Sequence, residues 1–423
     1  MLSRQDIDPN ALRVIKELQK AGHTTYLVGG AVRDLLLNIK PKDFDISTTA
    51  TPEQVKKVFG RAGRIIGRRF QIVHVHKGRS VFEIATFRRT PTEDERKARE
   101  NDDGQMVWSD NVWGTPEEDA MRRDFTANAL FLDPYDLDKG IIDFCGGLKD
   151  IENSVVRSLG DPEVRFTEDP VRMLRALKLV GQYGFTLQSD IKEAIANIGV
   201  KITLSSQRRL YEEILKITYK AYGAKTFKAC HDYGLLEHLL PNFDKLLSSE
   251  DGPLMIEFLQ NRDNRIARGQ SMSRAYSIAC LCYRFVEKKL NPDSKFGDGW
   301  EFFPGIERET RKAIDQFLAP HSPTRLISAR VRDVLLLHER MTRYKAGTTK
   351  IISHPEYHYG ILLYGTLAET LDWSEEKRNL WKAIPRAKTK RKYDKSEGPK
   401  EERQSAARRR KPYHKRKPKP KTD

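Results

Sequence analysis

Apolar positions fall at helical spacing near the start of the chain. Leu12, Ile15 and Leu18 follow Asp8-Pro9, a capping residue and a first-turn proline, and Gly22 closes the segment. Tyr26-Leu27-Val28 then reads as a short buried strand running into Gly29-Gly30. A helix is predicted from Ala31 to Leu37, and a second strand from Asp43 to Ile46. Ile72 to His76 and Val81 to Phe87 read as a hairpin joined through Lys77-Gly78-Arg79. Helix and strand alternate, so the first ~150 residues form a mixed α/β unit. Arg89 to Asn111 is almost entirely polar and reads as a long loop.

After Glu168 the period changes to 3.6. Val171, Leu174, Leu177 and Lys178 open a helix, and Leu210, Ile214 and Ile217, then Ala279, Cys282 and Phe285, keep the spacing. No strand is predicted between about 165 and 385. The predicted fold is therefore an α+β head, a mixed sheet with helices, followed by an all-α neck and body and a disordered basic C-terminal tail.

Composition sharpens this picture. Apolar residues make up 38% of the 423 and charged residues 32%, enough for a core in two or three domains. No window of eighteen consecutive apolar residues exists, so no membrane-spanning helix is expected. The polar start, Met1 to Asp6, lacks a signal-peptide core, and secretion is not expected. Cys145, Cys230, Cys280 and Cys282 have neither a disulfide framework nor paired zinc spacing and read as reduced thiols of a cytoplasmic protein.

Charge is unevenly spread. The net charge is +17, and the last 38 residues, from Arg386, hold 17 basic and 5 acidic side chains. Such a segment cannot bury apolar surface. It reads as a polyanion-binding arm, with RNA the leading candidate, or as a solubilising tail.

Three carboxylates in the first unit carry the candidate chemistry. Asp43 and Asp45 are i, i+2 on an apparent strand, so alternation puts both on one face. They repel each other unless a cation lies between them, and Mg²⁺ favours such oxygen donors. Glu83, in the centre of a nearby strand, completes a set for two metals ~4 Å apart. The plainer reading is a strand-edge pair making surface salt bridges with neighbours such as Lys42. Upstream, Gly29-Gly30 stands where a strand turns into a helix, and backbone amides there can approach phosphate. Arg33, one turn on, can add a charged fork. A purely structural Gly-Gly turn explains the same residues, and the lysine and spacing of a P-loop are absent.

Taken together, Gly29-Gly30-x-x-Arg33-Asp34 and Asp43-x-Asp45 resemble the nucleotidyltransferase head of the polymerase-β superfamily. Within it, the chain resembles the bacterial poly(A) polymerase and class II CCA-adding tRNA nucleotidyltransferase family. Arg122-Arg123-Asp124-Phe125-Thr126-x-Asn128 and Glu168-Asp169-Pro170-x-Arg172-x-x-Arg175 match two further family motifs in order. The resemblance implies a head over 1–157, a neck over 158–230 that binds nucleobase and RNA, an RNA-binding body over 231–385 and the tail over 386–423. It implies that Asp43, Asp45 and Glu83 hold two Mg²⁺ ions, and that Arg122, Arg123 and Asp124 brace the nucleotide between head and neck. Asp124 can equally cap a helix from Phe125 to Phe131.

Asp169 and Arg172, i, i+3 on one predicted helix, share a face. A carboxylate accepts from an exocyclic amino group and an arginine donates to a ring nitrogen, which suits adenine and cytosine but not guanine or uracil. Leaving a buried partner unmatched costs on the order of 1–3 kcal/mol, roughly tenfold to a hundredfold in selection. Arg175 is a further candidate for the base. An ordinary intrahelical ion pair is the plainer reading.

Ile65-Ile66-Gly67-Arg68-Arg69-Phe70-Gln71-Ile72-Val73-His74-Val75 resembles the segment typical of bacterial poly(A) polymerases, and a cationic tail suits an enzyme that grips many RNA 3′ ends. The expected activity is template-independent addition of AMP from ATP to RNA 3′ ends. CCA addition to tRNA and an RNA-binding protein with an inactive head are the alternatives. RNA and ATP are the expected partners, RNA-degradation machinery is a candidate one, and a monomer without membrane contact is expected.

Ending the chain near Pro385 should weaken RNA affinity and flatten its salt dependence, by roughly 0.7 in slope for each phosphate the tail no longer neutralises. Single-nucleotide incorporation should largely survive. An unchanged slope in a salt titration returns the tail to a solubilising role.

Overall fold

The computed structural model describes residues 3–67, 71–92, 112–137, 140–381 and 384. The tail, Arg68 to Phe70 of the polymerase-like segment, and residues 93–111 of the polar loop lie outside these described residues.

The first helix, α1 (Pro9–Lys20), starts where expected: the Asp8 carboxylate accepts from the Asn10 and Ala11 amides at 2.7 and 3.3 Å. Ala11, Val14, Ile15 and Leu18 form its buried face. Strand β1 (Thr25–Val28) leads into α2 (Gly30–Leu36), and β2 (Ile46–Thr48), α3 (Pro52–Phe59), β3 (Gly63–Ile66), β4 (Ile72–Lys77) and β5 (Ser80–Thr86) follow. After α4 (Pro116–Met121), β6 (Leu130–Leu132) and β7 (Ile141–Asp143) complete a seven-stranded mixed sheet in the order β3-β4-β5-β2-β1-β6-β7. The β4–β5 hairpin pairs Lys77 with Ser80 around Gly78-Arg79, as the turn residues predict.

Register places the carboxylates. β2 runs parallel to β5 with Ile46 beside Ile84, and antiparallel to β1 with Leu27 beside Ile46. The Val28 amide donates to the Asp45 carbonyl at 3.0 Å. One step back from Ile46 and Ile84, the same parallel register sets Asp45 next to Glu83. On β5, Phe82, Ile84 and Thr86 are buried, so Glu83 faces the opposite, open side.

Three local expectations are corrected. The strand begins at Ile46, so Asp43 and Asp45 lie on its extended lead-in. Val28 ends β1 by donating to the Asp45 carbonyl, and the chain then turns through Gly29 into α2. Phe125 to Phe131 is not a helix. It is one 3₁₀ turn (Thr126–Asn128) and then β6, whose apolar run Leu130-Phe131-Leu132 fills the slot between β1 and β7. The helical half also contains a two-residue strand, β9 (Thr186–Leu187), parallel to β8 (Val155–Val156) and too short to show a period.

Beyond β7 come α5 (Gly147–Glu152), β8, α6 (Pro162–Glu168), α7 (Val171–Tyr183), β9, α8 (Ser189–Ile198), α9 (Gln207–Thr218) and α10 (Gly223–Asp232). Larger helices then build the body, including α11 (Gly252–Ala267), α12 (Arg274–Leu290), α13 (Ile306–Leu318), α14 (Arg325–Arg343) and α15 (Tyr357–Thr370). One apolar cluster runs from Ile7 to Leu367 and so continues from the sheet through the helices. Trp300, Trp381, Tyr357 and Tyr364 are buried in the body, so these aromatics pack its core rather than present stacking faces. All four cysteines are free, and Cys230, Cys280 and Cys282 are buried. No described helix is long and apolar enough to cross a membrane.

The joint between sheet and helices rests on Arg165 of α6. Its Nη2 donates to the carbonyls of Arg122 at 2.6 Å and Arg123 at 2.8 Å, while Nη1 meets Glu168 at 2.8 Å. Arg165→Ala would strand two carbonyls and lower stability by about 2 kcal/mol. Urea unfolding reads this directly. A loss under about 0.5 kcal/mol would mean the joint is held elsewhere.

Candidate active site

The site lies where the open face of the sheet meets α7 and α9. Gly29 caps α2 with φ 69°, in the left-handed region. A Cβ there would stand 2.9 Å from Arg123 Nη1, so both the backbone and the neighbouring guanidinium require glycine. Arg123 donates to the Asn128 carbonyl at 3.1 Å and to Asp119 at 2.9 Å, with its Cζ 5.3 Å from the Phe131 ring centroid. It thus sits between the diglycine turn and Asp45.

Asp45 is the electrostatic centre of the site. Its carboxyl is raised from 3.8 to about 6 by loss of hydration, then by the charge of Glu83, with Arg123 opposing and Asp43 adding to the repulsion. The side chain still reaches solvent, which screens the charges around it, so only part of this shift becomes folding free energy. Glu83 and Asp43 are thus near enough for their charges to act on Asp45. Glu83 Oε1 also meets Nε2 of buried His74, its cross-strand neighbour, at 3.3 Å.

Asp43, Asp45 and Glu83 could hold a divalent cation. They offer only hard oxygen donors, and their mutual repulsion is what such an ion relieves. Among the described residues no three His, Cys, Asp or Glu side chains already stand at ligand spacing. Binding would therefore draw the carboxylates inward and take Glu83 from His74.

Arg33 departs from its expected role. It is buried, and its guanidinium is committed inward rather than to a phosphate. Nε and Nη2 donate to Asp34 at 3.1 and 2.7 Å, Nη1 to Asn128 Oδ1 at 2.5 Å, and Nη2 to the Tyr183 hydroxyl at 2.6 Å. Its Cζ lies 4.4 Å from the Tyr183 ring centroid. Arg33 ties α2 to the end of α7. Gly30, beside it, opens the helix.

Asp124 does not cap a helix. One oxygen accepts from the Phe125 amide at 2.9 Å and from Asn128 Nδ2 at 3.0 Å, and the other meets Arg175 of α7 at 3.4 Å. Asn128 thereby couples Asp124 to Arg33. Arg122, half-buried, ends α4 and gives its carbonyl to Arg165.

Asp169 and Arg172 are not on one helix. α6 ends at Glu168 and α7 starts at Val171, with Asp169 extended between them and its carboxylate accepting from the Val171 amide at 3.3 Å. Nor do they form the intrahelical ion pair of the plainer reading. Arg209 of α9 clamps Asp169 with two bonds of 2.9 Å, while Arg172 meets Glu168 at 3.1 Å. Burial alone would raise the Asp169 carboxyl. The Arg209 bonds and charge, helped by Arg175 and Arg172, outweigh it and hold it below the usual carboxylate range.

Arg209, Arg165, Tyr183, Asn128 and His74 carry roles that the sequence did not mark. Asn128 stood inside a quoted motif without one. Arg165 is i, i+3 from Glu168 on α6, a helix not predicted from the sequence. Arg209 has no local signal, because its partner is forty residues away.

The chain is similar to known proteins over most of its length. Residues 25–157 match the family model "Poly A polymerase head domain", and residues 184–247 match "Probable RNA and SrmB- binding site of polymerase A". Poly(A) polymerase I of Escherichia coli O6:H1 is 35% identical over 378 residues, covering 87% of this chain and 80% of that one. A CCA-adding enzyme of Geobacillus sp. is 34% identical over 271 residues, covering 64% and 63%. The crystal structure of Bacillus stearothermophilus CCA-adding enzyme in complex with CTP aligns with TM-score 0.62 and 25% identity over 88% of this chain and 82% of that one. The protein is thus an enzyme of the nucleotidyltransferase class. More narrowly, the chain belongs to the polymerase-β family that unites poly(A) polymerases with CCA-adding enzymes.

With divalent ions chelated, wild-type stability should fall as pH rises from about 4 to about 6, because the folded state holds the Asp45 proton more tightly than the unfolded chain. Asp45→Asn should remove that decline, so the variant is the more stable above pH ~6 and matches wild type below pH ~4. Added Mg²⁺ should raise the wild-type melting midpoint more than the variant's. A variant less stable at pH 8 would refute the crowding of charge at Asp45.

Proposed function

We propose that the chain adds AMP from ATP to RNA 3′ ends without a template, releasing pyrophosphate. The observation that carries this reading is the crowding of negative charge at Asp45 beside the diglycine turn. The 3′-oxygen of RNA attacks the α-phosphorus in line, its proton departs, and the bond from the α-phosphorus to the bridging oxygen breaks. The amides opening α2 face the phosphates. Arg123, next to Asp45, offsets negative charge as the α-phosphate arrives. Arg172 and Asp169 read the ring nitrogen and amino group of adenine, and Arg175, tied to Asp124, closes the sugar side. Asp43, Asp45 and Glu83 would hold Mg²⁺, which would supply Lewis-acid stabilisation of the phosphoryl oxygens and a lower pKa for the attacking hydroxyl.

Arg209 favours ATP alone over ATP with CTP. With both oxygens clamped, Asp169 presents its remaining lone pairs in one direction and cannot follow a second base. The match to poly(A) polymerase I along 80% of its length supports the same choice. CCA addition is the second reading, supported by the alignment with the CTP-bound enzyme. RNA as acceptor is supported by the family match over 184–247.

The test incubates the protein with Mg²⁺, a generic RNA and each labelled nucleotide. A long ladder with ATP is expected, and Asp43→Ala with Asp45→Ala should reduce it roughly a thousandfold or more. Addition that stops after two or three residues and needs CTP indicates CCA synthesis. No incorporation at all indicates an RNA-binding protein with an inactive head. Arg209→Ala should cut the ATP-over-CTP preference in kcat/KM roughly tenfold.

A further inference from the structure

The loop of residues 291–305, between α12 and α13, is long for a connection inside a helical body. Buried charge holds it in place. On α12, Glu287 accepts from the Gly297 amide at 3.0 Å and the Gly299 amide at 2.7 Å, and Arg284 donates to the Ser294 carbonyl at 2.7 Å. Arg284 is itself paired with Glu287 at 2.6 Å and with Asp251 at 3.0 Å. Trp300 is fully buried. Gly299, with φ 73°, packs so closely on Glu339 of α14 that a Cβ would collide with its carboxylate. Burying this many charges is costly, and what they achieve is to fix one loop. That loop carries two aromatic side chains which the core does not fully take: Phe302 is half-buried and Phe303 is 41% exposed.

The C-terminal end of α14 lies against this loop. Arg343 donates to the Trp300 carbonyl at 2.9 Å, and the Arg340 Cζ lies 5.5 Å from the Phe302 ring centroid. Tyr344, whose amide donates to the Arg340 carbonyl at 2.9 Å, is 53% exposed, and Lys345 after it is exposed as well. Residues 300–303 and 340–345 thus share one surface, on which exposed rings alternate with cations. Within these two stretches Glu301 alone is acidic. Glu339, just before them, is buried and engaged by Arg343 at 2.9 Å. Rings interleaved with cations suit single-stranded nucleic acid, whose bases stack while its backbone passes the positive groups. The course of the chain favours a polyanion over an apolar protein partner. Trp381 donates to the Met341 carbonyl at 2.9 Å, and the Ile384 amide donates to the Trp381 carbonyl at 3.4 Å, so residue 384 is close to the same end of α14. The segment that follows, from Arg386, holds 17 basic and 5 acidic side chains.

We propose that Phe302, Phe303, Arg340, Tyr344 and Lys345 form a stacking platform on the body for single-stranded RNA, upstream of the 3′ end being extended. Bases stack on Phe303 and Tyr344, and Arg340 and Lys345 meet the phosphates between them. Phe302 supports Arg340 from below. The inference rests on the proposed function only in taking RNA as the acceptor. None of these residues belongs to the candidate active site, so the platform grips the acceptor whichever nucleotide is added. Stacking is indifferent to base identity, because every base has a π-face.

The experiment measures fluorescence anisotropy of labelled RNA on the full chain without nucleotide. It compares wild type with the double variant Phe303→Ala, Tyr344→Ala and with the conservative pair Phe303→Trp, Tyr344→Phe. The alanine pair should weaken binding of an oligoadenylate of about 24 nucleotides roughly tenfold or more, and the conservative pair should keep most of the affinity, since both rings remain. A blunt RNA duplex, whose bases are already stacked on one another, should bind the alanine pair as it binds wild type. The melting midpoint should stay within about a degree, because both side chains are exposed. In steady-state kinetics KM for RNA should rise while KM for ATP does not. Unchanged affinity for the single strand overturns the platform and leaves the face to a protein partner. An equal loss on the duplex overturns stacking. Wild type that binds the single strand through Phe303 and Tyr344 but incorporates no nucleotide keeps the platform and overturns the polymerase reading, so the two failures are distinct.

Discussion

Repulsion between Asp45, just before β2, and Glu83, on the neighbouring β5, is the constraint around which the head is arranged. The parallel pairing of β2 with β5 sets Asp45 beside Glu83, and the charge of Asp43 acts on Asp45 as well. Nothing in the sheet removes this conflict. Arg123 offsets part of it, and the rest is left for an arriving cation. A fold selected for stability alone would break up such a cluster. Its persistence on an open face, beneath a turn whose glycine is demanded by both φ and a packed guanidinium, is the physical basis for proposing the chemistry at that point.

Two of the surrounding arginines hold the two halves together. Arg33 and Arg165 are inward-facing struts. The first joins α2 to Asn128 and Tyr183, and the second holds the backbone of Arg122 and Arg123. Because Asn128 also binds Asp124, and Asp124 meets Arg175, the head's motif is wired to α7 through a chain of charge-assisted bonds. Arg209 applies the same principle to the proposed specificity. It fixes the carboxylate assigned to the base rather than meeting the base itself. The geometry of base reading therefore depends on how α6, α7 and α9 are stacked.

Much of this was visible in one dimension because the signals are short-range. The i, i+2 spacing of Asp43 and Asp45 survives whether or not the strand starts at Asp43, since extended backbone alternates in either case. The hairpin turn, the Asp8 cap and the helical period after Glu168 depend on neighbours within a few residues. Where local propensity met a tertiary demand, the tertiary demand won. Leu130-Phe131-Leu132 became a strand because the sheet had a vacant slot between β1 and β7, and Asp124 turned from helix cap to cross-domain tether.

The sequence by itself determined the inventory: which carboxylates, which glycines, which basic motifs, and the order in which they occur. Only the tertiary structure decided who pairs with whom. Arg33 was legible as a cation near phosphate chemistry, yet its burial against Asn128 and Tyr183 depends on residues 95 and 150 positions away. Asp169 and Arg172 were legible as a pair, yet the helix break between them and the clamp from Arg209 redirect both. Partner choice for a long charged side chain is set by which surfaces the core brings within reach, and that information belongs to the packed chain rather than to any window of it.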